Sequence, residues 1–460
     1  MTNELLNGLR GIVGATHVIP ADEVRDSAWE THQPFRGLAL VCPSTTAQVA
    51  AVLAACNEAC QTVVPLGGLT GLVQGCATEK GDIGLSLEKM QLIEGIDAVA
   101  QTMTVQAGVT LGEAQAAVDE AGLYFPLDIG ARDNCMLGGN VATNAGGTKV
   151  IRYGMTRDSV LGLEVVLANG TVISSMNRFI KNNSGFDLKQ LFIGTEGTLG
   201  VITRIVFRLA VKARSHNVAF LACNTYEDVV QVLSESRELL GSSLTGFEVM
   251  WHSFYRQVTQ PLGPQPALLP ADLPYYVIVE AMGAHPQYDD EIFTGALESL
   301  MANGRVVDGI LAKSDKERKA IWAIREEVEW LISGCFNFDV SLPVVDVADY
   351  VETVSAGIVA DVPGAIVAAF GHLGDNNIHL SVLLEENQDA FADVIQEHVY
   401  QALIPYAGAI SAEHGIGLEK RAYLGISRTV EEIELMRSLK TLLDPNNILN
   451  PGKVIDCADS

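Results

Sequence analysis

Apolar positions recurring at helical spacing predict a short amphipathic helix at the start of the chain. After an irregular stretch they predict a second helix over TTAQVAAVLAACNEA, approached through Pro43 and Ser44. The β-rich segment Gln61–Val64 then runs into a glycine-rich turn. The short apolar runs GLSL and TMTVQAGV read as strands, and LGEAQAAVDEAG reads as a helix. In LGLEVVLANGTVISS the pattern is apolar on both sides of Asn169-Gly170, the strongest short-range hairpin signal in the sequence. Next, GFDLKQLFIGTEGTLGVITRIVFRLAVK places Gly194, Gly197 and Gly200 between two apolar runs.

The pattern shifts near Val211–His216. Beyond it, strand-like NVAFLAC, TGFEVMW, YYVIVEAMG, VVDGILA and FNFDVSLPV are interspersed with helical patterns over 290–302, about 314–333 and near 347–360. This predicts an α+β second domain, an antiparallel sheet with helices on one side. Its predicted extent is 213–425, after a first domain over 1–212. The proline-rich QPLGPQPALLPADLP is read as a loop.

Composition narrows the class. A length of 460 residues suggests two or three domains, and 48% hydrophobic with 19% charged content is the composition of a globular protein rather than a disordered chain. The formal net charge of -26, from 30 basic and 56 acidic residues, argues against nucleic-acid or anionic-membrane partners, which recruit dense Lys and Arg. Eight scattered cysteines form no disulfide or zinc pattern and read as small core residues of a reducing compartment. With no signal peptide and no apolar span of membrane length, a cytoplasmic location is expected.

Chemistry enters at Pro126–Gly154, PLDIGARDNCMLGGNVATNAGGTKVIRYG, which carries six glycines in 29 positions. Such a stretch cannot fill an ordinary core, and its main-chain N–H groups are the candidate binding surface for an anionic cofactor with a flat ring. The alternative is a glycine-rich surface loop. The turn after Gln61–Val64, with Pro65, Gly67, Gly68, Thr70, Gly71 and Gly75, forms a second nest suited to a pyrophosphate. It lacks the spacing of the nicotinamide dinucleotide fingerprint.

AIVAAFGHLGDNNIHLSVLL is two apolar strands joined by a Gly-Asp-Asn-Asn turn, which places His372 and His379 at the mouth of one hairpin. Later, AISAEHGIG reads as a strand ending in Glu413 and His414. Two imidazoles and one carboxylate offer a divalent cation three ligands and leave a position open for substrate. Zinc is the first candidate, manganese or cobalt the next. The alternative is that these are hydrogen-bonded core or surface groups.

Taken together, VVPLGGLTGL, PLDIGARDNCMLGGNVATNAGG, RYG, LGLEVVLANGTV, DLKQLFIGTEGTLGVIT, FGHLGDNNIHLSV, SAEHGIG and NPGK resemble the D-2-hydroxyglutarate dehydrogenases and their D-lactate and glycolate dehydrogenase relatives. These belong to the vanillyl-alcohol oxidase / p-cresol methylhydroxylase flavoproteins. The resemblance implies a two-part FAD-binding domain, a substrate cap domain and a C-terminal segment, 426–460, returning to the FAD domain. It implies noncovalent FAD held by Pro65, Gly67, Gly68, Thr70, Gly71 and Leu72; by Pro126, Asp128, Gly138, Gly139, Asn140, Thr143, Asn144, Gly146, Gly147 and Tyr153; and by Glu196, Gly197, Gly200, Val201, Ile202 and Asn450.

The same resemblance makes His372, His379 and Glu413 metal ligands, His414 the catalytic base and Arg325 the holder of the substrate carboxylate. The chain departs from the hydroxyglutarate enzymes at Glu329, Asn337 and Ser381, where they carry threonine, lysine and asparagine. Losing a cation and adding a carboxylate weakens the hold on a second substrate carboxylate, so a D-2-hydroxy acid with a neutral or cationic far end fits better. The implied reaction is FAD- and metal-dependent oxidation to the 2-oxo acid, with an electron-transferring flavoprotein or quinone as acceptor, and a homodimer is compatible with the apolar content. The alternatives are hydroxyglutarate or D-lactate dehydrogenase proper, an oxygen-using oxidase, a relative of the ether-lipid synthases, or a non-catalytic flavin electron-transfer protein.

Overall fold

The structure, a computed structural model, describes residues 2–24, 34–259, 263–326, 328, 335–384 and 388–457. The chain divides into two compact units, one made from Met1–Gly146, Met155–Lys212 and Glu413–Ser460, the other from Gly147–Gly154 and Ala213–Ala412. The chain thus rejoins the first unit at Glu413 rather than at residue 426, and the short helix Val150–Tyr153 packs as part of the second unit.

In the first unit, a four-stranded sheet runs in the order Val18–Pro20, Ala39–Val41, Ile83–Ser86, Val63–Leu66, its last three strands parallel. Their crossover helix, Thr46–Glu58, starts where the Thr45 side chain accepts the Gln48 N–H, and it buries Val49, Val52, Leu53 and Cys56. A five-stranded antiparallel sheet follows the order Ile93–Asp97, Thr102–Gln106, Val201–Arg208, Val160–Val166, Val172–Ser175. The Asn169-Gly170 hairpin forms between its last two strands, with Gly170 at φ +83°. The helix Leu111–Glu120 begins at a reciprocal Thr110/Glu113 capping box and buries Leu111, Ala114 and Val118 in the core of this sheet. Lys440, buried on the helix Val430–Leu443, donates to the carbonyls of Thr198 (3.0 Å) and Leu449 (2.6 Å), so the end of the chain is fastened to the third glycine loop.

The second unit is built on a seven-stranded antiparallel sheet. Its order is Asp308–Leu311, Ser215–Cys223, Tyr275–Gly283, Leu244–Trp251, Ile366–Gly371, Asn377–Leu383, Cys335–Ser341. Side chains alternate between its faces. On one face Val218, Phe220, Met250, Tyr276, Ile278 and Phe370 form a core with the helices His252–Thr259 and Asp315–Glu326. On the other, Trp251 and Tyr275 pack against Tyr226 at the start of the helix Tyr226–Leu240. Helices therefore lie against both faces, which corrects the expectation of helices on one side. Both faces carry fully buried apolar residues such as Phe220 and Val249, and each such side chain contributes roughly 1.5–3 kcal/mol only when covered.

Other expectations shift locally. AISAEHGIG is not a strand; it makes one isolated bridge, Ser341 to Ala409, because glycine and polar residues end the ladder there. Among the described residues, no strand or helix forms over 263–274 of the proline-rich loop. The eight cysteine thiols are free. No described helix is long and apolar enough to cross a membrane.

Candidate active site

In the first unit the glycine loops are brought together by packing that only small residues permit. A Cβ at Gly68 would collide with the Asn134 carbonyl, one at Gly197 would lie 3.1 Å from Pro65, and one at Gly138 would lie 2.6 Å from the Ala107 Cβ. The Gly194 and Glu196 amides donate to the carbonyls of Val141 (3.1 Å) and Ala142 (2.8 Å) at the end of the helix Leu137–Ala142. Leu69, Asn144, Glu196 and Gly197 all take positive φ, the conformation that turns successive N–H groups toward one side. Asn450, also at positive φ, donates to the Gly75 carbonyl (3.0 Å) and the Glu196 carbonyl (2.7 Å). The three glycine stretches and NPGK thus form one continuous backbone surface.

This surface fits a flavin dinucleotide. Among the described residues, side chains at Gly71 and Gly139 would meet no atom within 4 Å, so their backbone is open to a ligand, and the buried Asn450 Oδ1 has no hydrogen-bond partner. Asp128 is ion-paired with Arg132 at 3.0 Å. The Thr143 hydroxyl donates to the Gly139 carbonyl, and Gly147 and Tyr153 fall in the segment that packs with the second unit. The Glu196 carboxylate accepts the N–H groups of Ile416 (2.7 Å) and Gly417 (3.0 Å); burial pushes its pKa up despite these bonds. The SAEHGIG stretch is thereby anchored to the third glycine loop. A Cβ at Gly146 would lie 2.8 Å from Glu413 Oε2, so Glu413 sits directly against the second loop.

In the second unit the hairpin Ile366–Gly371/Asn377–Leu383 holds His372 and His379 with ring centroids 5.3 Å apart and planes at 85°. Both are buried, as is Arg325 on its helix. A residue the sequence pattern did not single out, Glu248 on the strand Leu244–Trp251, joins two of them. Its Oε1 lies 2.8 Å from His372 Nδ1, and its Oε2 accepts from Arg325 Nε at 2.8 Å. Burial alone would raise the Glu248 pKa; His372 and Arg325 outweigh it and hold the carboxyl below its ordinary range. Arg325 Nη2 lies 3.4 Å from His372 Nε2, and its guanidinium stacks over Phe370 at 4.6 Å. Arg325 is therefore no surface salt-bridge residue.

A second unanticipated acid, Asp339, pairs across the ladder with His379, its Oδ1 3.7 Å from Nδ1. Asp339 also accepts from Asn377 Nδ2 (2.9 Å), Ser411 Oγ (3.3 Å) and the Ala412 amide (3.0 Å). It thus pins the chain immediately before Glu413 and His414. Asn337 and Ser381 are directly opposed, and the Ser381 hydroxyl donates to Asn337 Oδ1 at 2.6 Å. Glu329 lies outside the described residues. The signal that could have found Glu248 and Asp339 is a lone acid inside an apolar strand, TGFEVMW and FNFDVSL, since a buried charge persists only when paired.

Two family models match the chain, "FAD binding domain" over residues 38–175 and "FAD linked oxidases, C-terminal domain" over 212–454. Among solved structures, p-cresol methylhydroxylase with substrate bound superimposes with a TM-score of 0.80 at 18% identity, covering 100% of this chain and 98% of that one. The fold is thus the two-domain FAD-binding fold of the vanillyl-alcohol oxidase / p-cresol methylhydroxylase type. A mitochondrial D-2-hydroxyglutarate dehydrogenase of Bos taurus is 40% identical over 90% of this chain and 76% of its own length. A D-2-hydroxyglutarate–pyruvate transhydrogenase of Saccharomyces cerevisiae is 35% identical over 90% of this chain and 86% of its own. At this level of similarity the chain belongs to the family of the FAD-dependent D-2-hydroxyglutarate dehydrogenases.

Proposed function

We propose that this chain oxidises a D-2-hydroxy acid with an uncharged far end to the corresponding 2-oxo acid. The observation that carries the reading is the buried Glu248–His372–Arg325 cluster, an imidazole oriented by a carboxylate beside a carboxylate-binding guanidinium. FAD, held by the glycine loops, supplies a two-electron acceptor for the hydrogen on C2. His372, His379 and Glu413 would hold a divalent cation, zinc first and manganese or cobalt next, which there supplies Lewis acidity. Glu248, hydrogen-bonded to His372, would act as a carboxylate that backs a metal-bound histidine, and Asp339 lies beside His379 as a further carboxylate near the ion.

In this reading Arg325 binds the substrate carboxylate through the guanidinium donors that Glu248 leaves over. His414 accepts the hydroxyl proton. Asn337 and Ser381 satisfy one another and present no cation to a second carboxylate, which supports a neutral far end, although the bovine relative is named for hydroxyglutarate. The electron acceptor in this reading is a flavoprotein or quinone; the yeast relative's name gives pyruvate that role in its own reaction.

The test is an anaerobic screen of D- and L-2-hydroxy acids followed by flavin absorbance. D-acids with neutral ends are expected to bleach the flavin, and chelation followed by zinc, manganese or cobalt addition should abolish and restore the effect. A metal-replete protein that no D-2-hydroxy acid reduces overturns the proposal.

A further inference from the structure

The second unit contains a cavity of about 390 Å³ whose lining, Tyr153 apart, has no role in the chemistry above. It is lined by Arg152 and Tyr153 of the short inserted helix, by Arg237 and Ser242 at the end of the helix Tyr226–Leu240, and by Gly374. Among the described residues neither arginine meets a carboxylate. Arg152 donates from Nη1 to the Met282 carbonyl (2.6 Å) and lies over the Tyr153 ring, and Arg237 donates from Nη2 to the Gly374 carbonyl (2.8 Å). Arg204, Arg305, Arg318, Arg421 and Arg437 each have an acidic partner, whereas Arg157, like the cavity pair, bonds neutral groups, Gln190 and the Ile193 carbonyl. In a chain of net charge -26, with acids in excess, two unneutralised guanidiniums on one cavity are a local reversal of charge. Each guanidinium carries five donors and has spent one on a carbonyl, so several remain for an oxyanion.

We propose that this cavity binds a small dianion, a phosphate or a dicarboxylate, and that its occupancy stiffens the turn that carries His372. The coupling follows from the wall. Gly374 lies in the His372–Asn377 turn, and a Cβ there would fall 2.5 Å from Ile151 Cδ1, so the turn rests directly on the cavity-lining helix. Arg237 holds that turn through the Gly374 carbonyl. An anion fixing Arg237 fixes this hydrogen bond as well, and stabilisation of the bound form is shared by linkage.

The test is calorimetric titration of the flavin-loaded protein with inorganic phosphate, and separately with malonate, at constant ionic strength set with sodium chloride. Saturable binding of either is expected, and the tighter of the two identifies the dianion's source. Ser242→Glu delivers a carboxylate to the guanidiniums from an exposed position and should weaken binding at least tenfold, as should Arg152→Gln. Absence of saturable binding to both probes, or binding undiminished in both variants, overturns the site. Hydrogen exchange at residues 372–377 should slow on binding, and unchanged exchange there overturns the coupling.

Discussion

The Glu248 carboxylate lies 2.8 Å from His372 Nδ1 through one oxygen and 2.8 Å from Arg325 Nε through the other. One buried side chain thereby sets the tautomer of an imidazole and the direction of a guanidinium, which come from elements far apart in the chain. Glu248→Gln keeps the shape but removes the charge. It is expected to lower metal affinity by about 10- to 100-fold, the usual effect of losing a carboxylate behind a metal-bound histidine. Metal titration with flavin reduction as readout checks this; unaltered affinity would take His372 out of the ligand set.

His414→Ala should retain FAD, since the cradle proposed for it is built from the backbone of the glycine loops. Flavin reduction by the best D-2-hydroxy acid should slow by roughly 10²- to 10⁴-fold, the common contribution of a positioned base. Stopped-flow reduction under anaerobic conditions measures it, and a rate equal to that of the parent protein would assign the proton to another group.

The Asn337–Ser381 pair makes substrate choice testable. Asn337→Lys places a cation at the far end of the proposed pocket, and it should raise kcat/KM for a dicarboxylate relative to a neutral hydroxy acid by about tenfold or more, a difference of 1.4 kcal/mol or more. A ratio that falls or stays constant would place the far end of the substrate elsewhere.

A buried ion pair fastens the inserted helix to its sheet. Lys149 Nζ lies 2.6 Å from Glu280 Oε1, with Thr245 Oγ1 at 2.9 Å from the same oxygen and His216 Nε2 at 3.2 Å from the other. Lys149→Met strands the buried Glu280 and should lower stability by about 3–5 kcal/mol in denaturant unfolding. Burial alone would raise the Glu280 pKa, but the Lys149 ammonium and His216 outweigh it and hold the carboxyl well below its ordinary range. A carboxyl depressed in the folded state adds stability that is complete above its unfolded value, near 4.5, and is lost as pH falls toward the folded value. Glu280→Gln should therefore lose less stability between pH 4.5 and more acidic conditions than the parent does, and parallel curves would remove Glu280 from the acid response.

Local features of the chain were readable without coordinates because they depend on near neighbours. Asn169-Gly170 turns its hairpin, the helices Thr46–Glu58 and Leu111–Glu120 start close to where their patterns start, and the turn GHLGDNN puts two histidines side by side. In each case periodicity, capping and turn chemistry act over a few residues. The helix read over 314–333 is described only as Asp315–Glu326, and the AISAEHGIG strand dissolved into a loop, since a strand exists only where a partner extends the ladder. Glu248, Asp339 and Glu280 showed in the sequence only as lone acids in apolar runs, with nothing to name their partners. Their meaning lies in pairings such as Glu248 with Ile278 and Asp339 with His379, which register assigns between segments distant in sequence. An acid in an apolar run announces that it must be neutralised; which cation does so is settled only when the sheet closes, because charge compensation acts through space and leaves no trace in spacing along the chain.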